Sequence, residues 1–161
     1  MEKIDKKKES LSHKKACDPN LSFVVEACAG SGKTWLICSR ILRFLVEGGR
    51  PSSVLALTFT NKAASEMHNR LNQFLYFLAT RPYEKVIEKL LSIGINESQI
   101  DDVYPRARSL YESILVEADQ PNICTFHSWY CKILLMSPVR LGVYSHISLS
   151  SSSKEFQQQV W

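Results

Sequence analysis

The most informative part of the sequence is the stretch Leu21-Ser-Phe-Val-Val-Glu-Ala-Cys-Ala-Gly-Ser-Gly-Lys-Thr34. It begins with a short, β-branched apolar run, which predicts a buried strand over residues 21–27. A glycine-rich loop follows. From Lys33 to about Glu47 the apolar residues then recur at helical spacing, and Gly48-Gly49 ends the pattern. Strand, glycine-rich loop and helix in this order are the context that a phosphate-binding loop requires.

The loop itself is suited to bind the phosphates of a nucleotide. Glycines let successive backbone N–H groups face one anion, and the next helix directs the positive end of its dipole at the same place. Lys33 would neutralise β- and γ-phosphate charge and the Thr34 hydroxyl would hold Mg²⁺, so these two are the predicted catalytic residues. The predicted nucleotide-binding residues are Ala27, Cys28, Ala29, Gly30, Ser31, Gly32, Lys33 and Thr34. Ala27 stands where the usual pattern has glycine. The alternative is a chance Gly-Ser-Gly turn followed by a surface lysine.

The rest of the chain alternates apolar strands with amphipathic helices. Further strands are predicted at 54–58 and 122–125, and further helices at about 61–79, 83–93, 97–118 and 127–136. Such alternation indicates an α/β fold with a parallel sheet covered by helices on both faces. The predicted organisation is a flexible polar lead-in over 1–20, a first sheet region over 21–81, a helical insertion over 82–120 and a return to the sheet region over 121–161. Arg40 and Arg43 are predicted on a solvated face, and Trp129 and Tyr130 in the core.

Composition places the chain among ordinary globular proteins. It has 161 residues, 45% of them hydrophobic, and a formal net charge of +4, which excludes a disordered or collagen-like chain. No apolar run is long enough for a membrane helix, and the amino terminus lacks the apolar core of a signal peptide. Five cysteines without a Cys-x-x-Cys spacing indicate reduced, mostly buried thiols and a cytoplasmic location. The four histidines are scattered and suggest no metal site.

Three motifs identify a family resemblance. The segment from Asp18 to Thr34, the segment Leu55-Ala-Leu-Thr-Phe-Thr-Asn-Lys-Ala-Ala-Ser-Glu-Met67, and Thr125-Phe-His-Ser-Trp-Tyr-Cys-Lys-Ile-Leu134 resemble the first three motifs of UvrD-like superfamily 1 DNA helicases. The Asp-Pro-x-x-Ser lead-in is most similar to the RecB/AddA helicase–nuclease branch. This resemblance implies a RecA-like P-loop NTPase domain, ATP with Mg²⁺ as cofactors, and 3′–5′ movement on single-stranded DNA. Many members of the family carry alanine at the position of Ala27.

The second and third motifs are implied to contact single-stranded DNA. The residues concerned are Thr58, Phe59, Thr60, Asn61, Thr125, Phe126, His127 and Ser128. An aromatic ring with short polar residues at the carboxyl end of a strand also makes chemical sense as a stacking platform beside phosphate donors. The alternatives are that Phe59 packs in the core and that Thr125 and its neighbours only cap a helix.

The family's acidic Mg²⁺ motif and second motor domain are not found in the sequence. Ile114-Leu-Val-Glu-Ala-Asp119 imitates the acidic motif, but it precedes the third motif and its surroundings read as helix. We therefore expect an incomplete motor domain, the amino-terminal fragment of a helicase of recombination or repair, with the rest supplied as a separate chain. A nucleotide- or DNA-binding module without turnover, a complete small kinase or NTPase, and a non-functional remnant are the alternatives. A kinase would need a lid and an acidic partner, and neither is found.

Overall fold

The computed structural model describes residues 12–26, 30, 32–117 and 119–136. Within them, residues 12–16 form a helical turn, and short 3₁₀ helices lie at Pro51–Ser53 and Glu97–Gln99. The longer elements are α1 (Lys33–Val46), β1 (Leu55–Thr58), α2 (Asn61–Thr80), α3 (Tyr83–Ser92), α4 (Ile100–Val116), β2 (Asn122–Thr125) and α5 (Phe126–Leu135). Each confirms a predicted element to within a few residues. The segment Ser152-Ser-Lys-Glu155 has the pattern of a capping box, which predicts a helix start, but it lies outside the described residues.

The two strands pair in parallel, as predicted. Leu55 lies opposite Asn122 and Thr58 lies opposite Thr125, with no offset between them. The connection from β1 to β2 runs through α2, α3 and α4, since parallel neighbours need a long crossover. The carboxyl ends of both strands therefore meet at one edge of the sheet, where α2 and α5 begin.

One hydrophobic core joins α1, α2, α3 and α4 to the sheet. Its largest fully buried side chains include Leu42 and Leu45 of α1, Leu78 of α2 and Leu90 of α3. Burial of one such leucine contributes about 1.5–3 kcal/mol. Arg108 of α4 also contacts the end of α2. Its Nη1 donates hydrogen bonds to the carbonyls of Leu78 at 3.1 Å and Arg81 at 2.8 Å. The helices between the strands thus share the core of α1 and α2.

The predicted buried strand at residues 21–27 is wrong for its described part. Residues 22–26 have no regular secondary structure, and Val24 is 99% exposed. Among the described residues the sheet contains β1 and β2 only, and residues 22–26 pair with neither. Apolar, β-branched composition gives a segment the propensity for a strand, but the strand forms only where a neighbour supplies hydrogen bonds.

Two further side-chain predictions are wrong. Arg43 is buried and forms an ion pair with Glu47 at 2.9 Å, and Arg40 is half-buried against residues 16–21. Neither lies on a solvated face, because both guanidinium groups reach main-chain oxygens of the lead-in. Tyr130 is 61% exposed and Trp129 is half-buried, so neither lies in the core. No residue of α5 is buried within the part of the chain that the structure describes.

The structure describes only residues 12–20 of the predicted lead-in. They contain the helical turn at 12–16 and Cys17, whose side chain is fully buried. The segment is therefore packed against the molecule up to the point where the exposed run at residues 22–26 begins. No described helix is both long enough and apolar enough to cross a bilayer.

Candidate functional site

Half of the predicted phosphate loop lies within the described residues, namely Gly30, Gly32, Lys33 and Thr34. Ala27, Cys28, Ala29 and Ser31 lie outside them. Gly30 and Gly32 have φ angles of 80° and 86°, a left-handed conformation that side chains other than glycine rarely adopt. The space around both Cα atoms is open, with no atom within 4 Å of the position that a Cβ would take. A ligand could therefore approach the backbone closely here.

Gly32 also begins α1. Its left-handed backbone forms the N-cap, and its carbonyl accepts the first helical hydrogen bond, from Leu36 N at 2.9 Å. Lys33 is exposed and Thr34 is half-buried in the first turn, which contains no acidic residue. The positive end of the helix dipole and the Lys33 charge therefore act at the same place, which favours an anion.

A groove of about 880 Å³ runs from this helix start to the carboxyl end of β1. Lys33 and Thr34 line one part of it, and Thr58 and Phe59 line another. Arg40 and the apolar side of α1 form its wall. The groove thus connects residues predicted to bind the nucleotide with residues predicted to contact DNA.

Phe59 lies on the surface at the end of β1 and is 84% exposed. Its ring faces that of Phe126, with the centroids 5.1 Å apart and the planes inclined by 40°. The alternative, a Phe59 packed in the core, is contradicted by this exposure. Phe126 is half-buried, so the exposed ring of Phe59, supported by that of Phe126, offers a surface on which a planar group could stack.

The short polar residues beside these rings divide into caps and exposed groups. Thr60 Oγ1 accepts a hydrogen bond from Ala63 N at 3.1 Å and caps α2. Thr125 Oγ1 caps α5 by accepting a hydrogen bond from Ser128 N at 3.2 Å. It also lies 2.9 Å from Ser128 Oγ. Both threonine hydroxyls therefore cap a helix, as the capping alternative describes for Thr125. Asn61 and His127 are exposed, and Thr58 is half-buried.

A second group of residues supports α1 from the side. The Lys89 ammonium lies 3.8 Å from the ring centre of Phe74 and 5.0 Å from that of Trp35. Burial lowers the pKa of Lys89, and the nearby Cys17 thiol partly opposes that shift. Burial likewise raises the pKa of Cys17 and raises that of Cys38 to about 11. These two thiols are protonated at neutral pH and poorly reactive.

No cluster of three or more His, Cys, Asp or Glu side chains suited to a metal occurs in the described part of the chain. The rejected acidic stretch behaves as expected, because Ile114, Leu115 and Val116 complete α4 and Glu117 caps its end. The carboxylate of Glu117 therefore follows a helix, and the predicted Mg²⁺ ligand remains the Thr34 hydroxyl.

Sequence reasoning missed the role of Arg40. Nothing in the spacing of α1 distinguishes this arginine from a surface residue, since its partners are main-chain oxygens about twenty positions earlier. It also missed that His68 of α2 bridges to the sheet, with Nε2 3.0 Å from the Ile123 carbonyl oxygen. Main-chain partners leave no trace in residue identity.

The fold is that of an α/β protein with a parallel sheet flanked by helices. Residues 9–160 match the family model of the UvrD/REP helicase N-terminal domain, and the chain belongs to that family. This confirms the resemblance to UvrD-like helicases that the three motifs indicated.

Individual relatives fall into two groups. DNA helicase II of Salmonella typhimurium is 43% identical over 72 residues, 44% of this chain and 9% of that protein. An ATP-dependent helicase/nuclease subunit of Clostridium perfringens is 36% identical over 87 residues, 52% of this chain and 7% of that protein. The ATP-dependent helicase/nuclease subunit of Leuconostoc mesenteroides is 32% identical over 142 residues, 86% of this chain and 10% of that protein. The chain thus spans a tenth or less of the length of these relatives.

Proposed function

We propose that this chain is the ATP-binding and single-stranded-DNA-contacting amino-terminal part of an ATP-dependent 3′–5′ DNA helicase of recombination or repair. One observation carries the proposal. Lys33 and Thr34, at the start of α1, line the same groove as Thr58 and Phe59, at the end of β1. A motor that couples nucleotide turnover to movement along DNA needs these two kinds of contact close together.

The described loop residues fit a nucleotide. Gly30 and Gly32 supply the positive φ angles and the open backbone that let phosphate oxygens approach main-chain N–H groups. Lys33 adds positive charge beside them. The Thr34 hydroxyl lines the groove and would hold Mg²⁺, which when bound neutralises charge on the phosphates. The RecA-like P-loop fold and the remaining loop residues, Ala27, Cys28, Ala29 and Ser31, belong to this proposal.

The proposed DNA contact centres on the rings of Phe59 and Phe126. A base would stack on the exposed face of Phe59, and Asn61 and His127 would meet the backbone from either side. Because Thr60 and Thr125 already cap helices, their proposed role is to fix the rings and the helix starts, with Thr58 and Ser128 beside them. Stacking on one aromatic side chain is worth about 1–3 kcal/mol per base.

We also propose that the chain belongs to the RecB/AddA branch. The alignment over 142 residues, 86% of its length, with a helicase/nuclease protein supports this proposal. We likewise propose that this chain is a fragment of such a helicase. The activity of a whole helicase is proposed for the protein that unites these residues with a second motor domain, in one chain or two. Four described cysteines are free thiols, which supports a reducing, cytoplasmic setting.

Two substitutions test the two halves of the groove. Lys33→Ala should weaken ATP binding in the presence of Mg²⁺ by at least about tenfold, because a charge-assisted phosphate contact is lost. Isothermal titration calorimetry measures the affinity. Lys85→Ala, which removes an exposed lysine of α3, is the matched control. Equal ATP affinity in Lys33→Ala and wild type would refute the nucleotide site.

Phe59→Ala should weaken binding to a single-stranded oligonucleotide by about 1–3 kcal/mol at fixed salt. Fluorescence anisotropy gives the affinity. Phe59→Leu, which keeps an apolar side chain without the ring, separates stacking from bulk. The control is Tyr76→Ala, which removes an exposed aromatic side chain from α2, away from the groove. An unchanged affinity in Phe59→Ala would refute the stacking platform.

A binding module without turnover is the second candidate, because the same groove would serve it. DNA-stimulated phosphate release separates the two. The helicase-fragment proposal expects little or no phosphate release from the chain alone and DNA-stimulated release when a second motor domain is supplied. ATP and DNA binding without such turnover would favour the module. Binding of neither ligand would indicate a non-functional remnant.

A further inference from the structure

We infer that Arg40 is a positioning residue for the phosphate loop, because its guanidinium group ties the lead-in at residues 16–21 to the middle of α1. The inference rests on the proposed nucleotide site and deepens it. Arg40 lies almost two turns beyond Lys33, so it acts on the loop through the segment that enters it and not by touching a ligand.

Four main-chain carbonyls converge on this one side chain. Arg40 Nη1 donates hydrogen bonds to the carbonyl oxygens of Ala16 at 2.9 Å and Asp18 at 2.6 Å. Nη2 donates to Pro19 at 3.4 Å and, at short range, to Leu21. Hydrogen bonds from a charged donor are about twice as strong as neutral ones, and the planar fork of arginine suits several acceptors at once.

The chain turns at this point so that its carbonyls face the guanidinium group. Asp18 Oδ1 accepts hydrogen bonds from Asn20 N at 3.0 Å and Asn20 Nδ2 at 3.3 Å, and Pro19 fixes the backbone between them. Arg43 strengthens the same attachment from the next turn of α1. It donates to the Lys14 carbonyl at 3.3 Å and lies 3.9 Å from the Asp18 carboxylate.

The attachment closes a short loop around the proposed site. Leu21 and Arg40 are 19 positions apart, and all eight predicted phosphate-loop residues lie between them. Fixing both ends of a segment removes conformations that it would otherwise lose on binding a ligand. Arg40 is therefore expected to lower the entropic cost of wrapping the loop around a phosphate.

Arg40 is not needed to hold α1 in the core. Leu42, Leu45 and Val46 anchor that helix and are all 1% exposed or less, whereas Arg40 is half-buried and faces the lead-in. A substitution at Arg40 should therefore release residues 12–21 while the helices and the sheet stay in place.

The test compares Arg40→Ala with wild type in the full chain. We expect ADP with Mg²⁺ to bind about tenfold more weakly by calorimetry. Hydrogen exchange at the amides of Cys17 and Asp18, which are bonded to His13 and Lys15 carbonyls, should be about tenfold faster. Arg70→Ala, which removes an arginine paired with Glu66 of its own helix, is the charge-matched control for nucleotide affinity.

The outcomes separate this inference from the nucleotide site itself. If Lys33→Ala leaves ADP binding intact, the nucleotide site is wrong. If Lys33→Ala abolishes binding but Arg40→Ala binds ADP like wild type despite faster exchange at residues 12–21, the positioning role is wrong and the site stands. Should Arg40→Ala not fold, Arg40→Lys decides. It keeps the charge without the fork, and we expect about threefold weaker ADP binding; wild-type affinity would overturn the role.

Discussion

Two apolar runs lead into the two parts of the groove, and only one of them is a strand. Residues 54–58 contain β1, which pairs with β2 along its whole length. Residues 22–26 contain the apolar run Phe23-Val-Val25, yet they pair with neither strand of the described sheet and expose Val24 almost completely. The difference lies in their neighbours, because β1 is bordered by β2 on one side and packs against α2.

This contrast shows what a strand-like pattern measures. Side-chain type reports how well a segment would fit a pleated, half-buried surface, but it does not report whether a second strand is there to pair with it. For residues 22–26 the attachment comes instead from side chains of α1. Arg40 holds the carbonyls just before the run, and its guanidinium carbon lies 5.8 Å from the centre of the Phe23 ring.

The largest expected difference between the two regions is in core stability. Ile123→Ala in β2, where the side chain is 6% exposed, should lower the free energy of unfolding by about 2–5 kcal/mol. Val24→Ala should change it by less than about 0.5 kcal/mol. Urea unfolding followed by circular dichroism measures both. A cost of several kcal/mol for Val24→Ala would show that the run is buried in solution and would abolish the contrast.

A smaller difference is expected between the two threonine caps where the paired strands end. Thr125→Ala should cost about 1–2 kcal/mol of unfolding free energy, because its buried hydroxyl caps α5. Thr60→Ala, at an exposed cap of α2, should cost about 0.5–1 kcal/mol. The serine variant at each site keeps the hydroxyl and should retain most of the stability. Equal loss in Thr125→Ser and Thr125→Ala would mean that the methyl group matters and the cap does not.

The sequence predicted the elements whose signals are local. The periodicity of α2, with Met67, Leu71 and Leu75 inward, is confirmed by their burial, and the parallel pairing of β1 with β2 is confirmed as well. The family assignment followed from three spaced motifs and is confirmed over residues 9–160. These features depend on side-chain identity along one segment, which the sequence displays directly.

Features that depend on distant partners could not be predicted. Residues 22–26 are exposed and pair with neither β1 nor β2 in the described part of the chain. The burial of Arg43 follows from contacts with Lys14 and Asp18. Both involve segments that are near in space but carry no matching pattern. The cap at Thr60 was equally hidden, because a threonine at the end of a strand fits a cap and a ligand contact alike.

Thiol labelling tests where packing of the lead-in ends. Cys17 lies just before the exposed run and is fully buried, whereas Cys124 and Cys131 are half-buried. Cys17 should therefore react with iodoacetamide at least about tenfold more slowly than either, since it must wait for local opening. Peptide mass spectrometry resolves the sites. Equal labelling rates at the three cysteines would show that Cys17 is as accessible to solvent as residues 22–26. In Arg40→Ala, the labelling of Cys17 alone should become faster.

The last expected effect is a change of stability in alkaline solution. Burial raises the pKa of Cys38 from 9.0 to about 11, so the folded protein holds this proton more tightly than the unfolded chain. Its contribution to the free energy of unfolding is complete below pH 9 and is lost as the pH rises towards 11, because the unfolded thiol ionises first.

The melting temperature should therefore fall between pH 9 and pH 11. Cys38→Ala removes that titration, so its melting temperature should depend less steeply on pH there. Parallel curves for wild type and Cys38→Ala would show that the thiol between α1 and α2 is more open than its contact with the Met67 carbonyl implies. The surroundings of Cys38 would then be open to solvent, as residues 22–26 are, and the contrast between the two regions would be smaller.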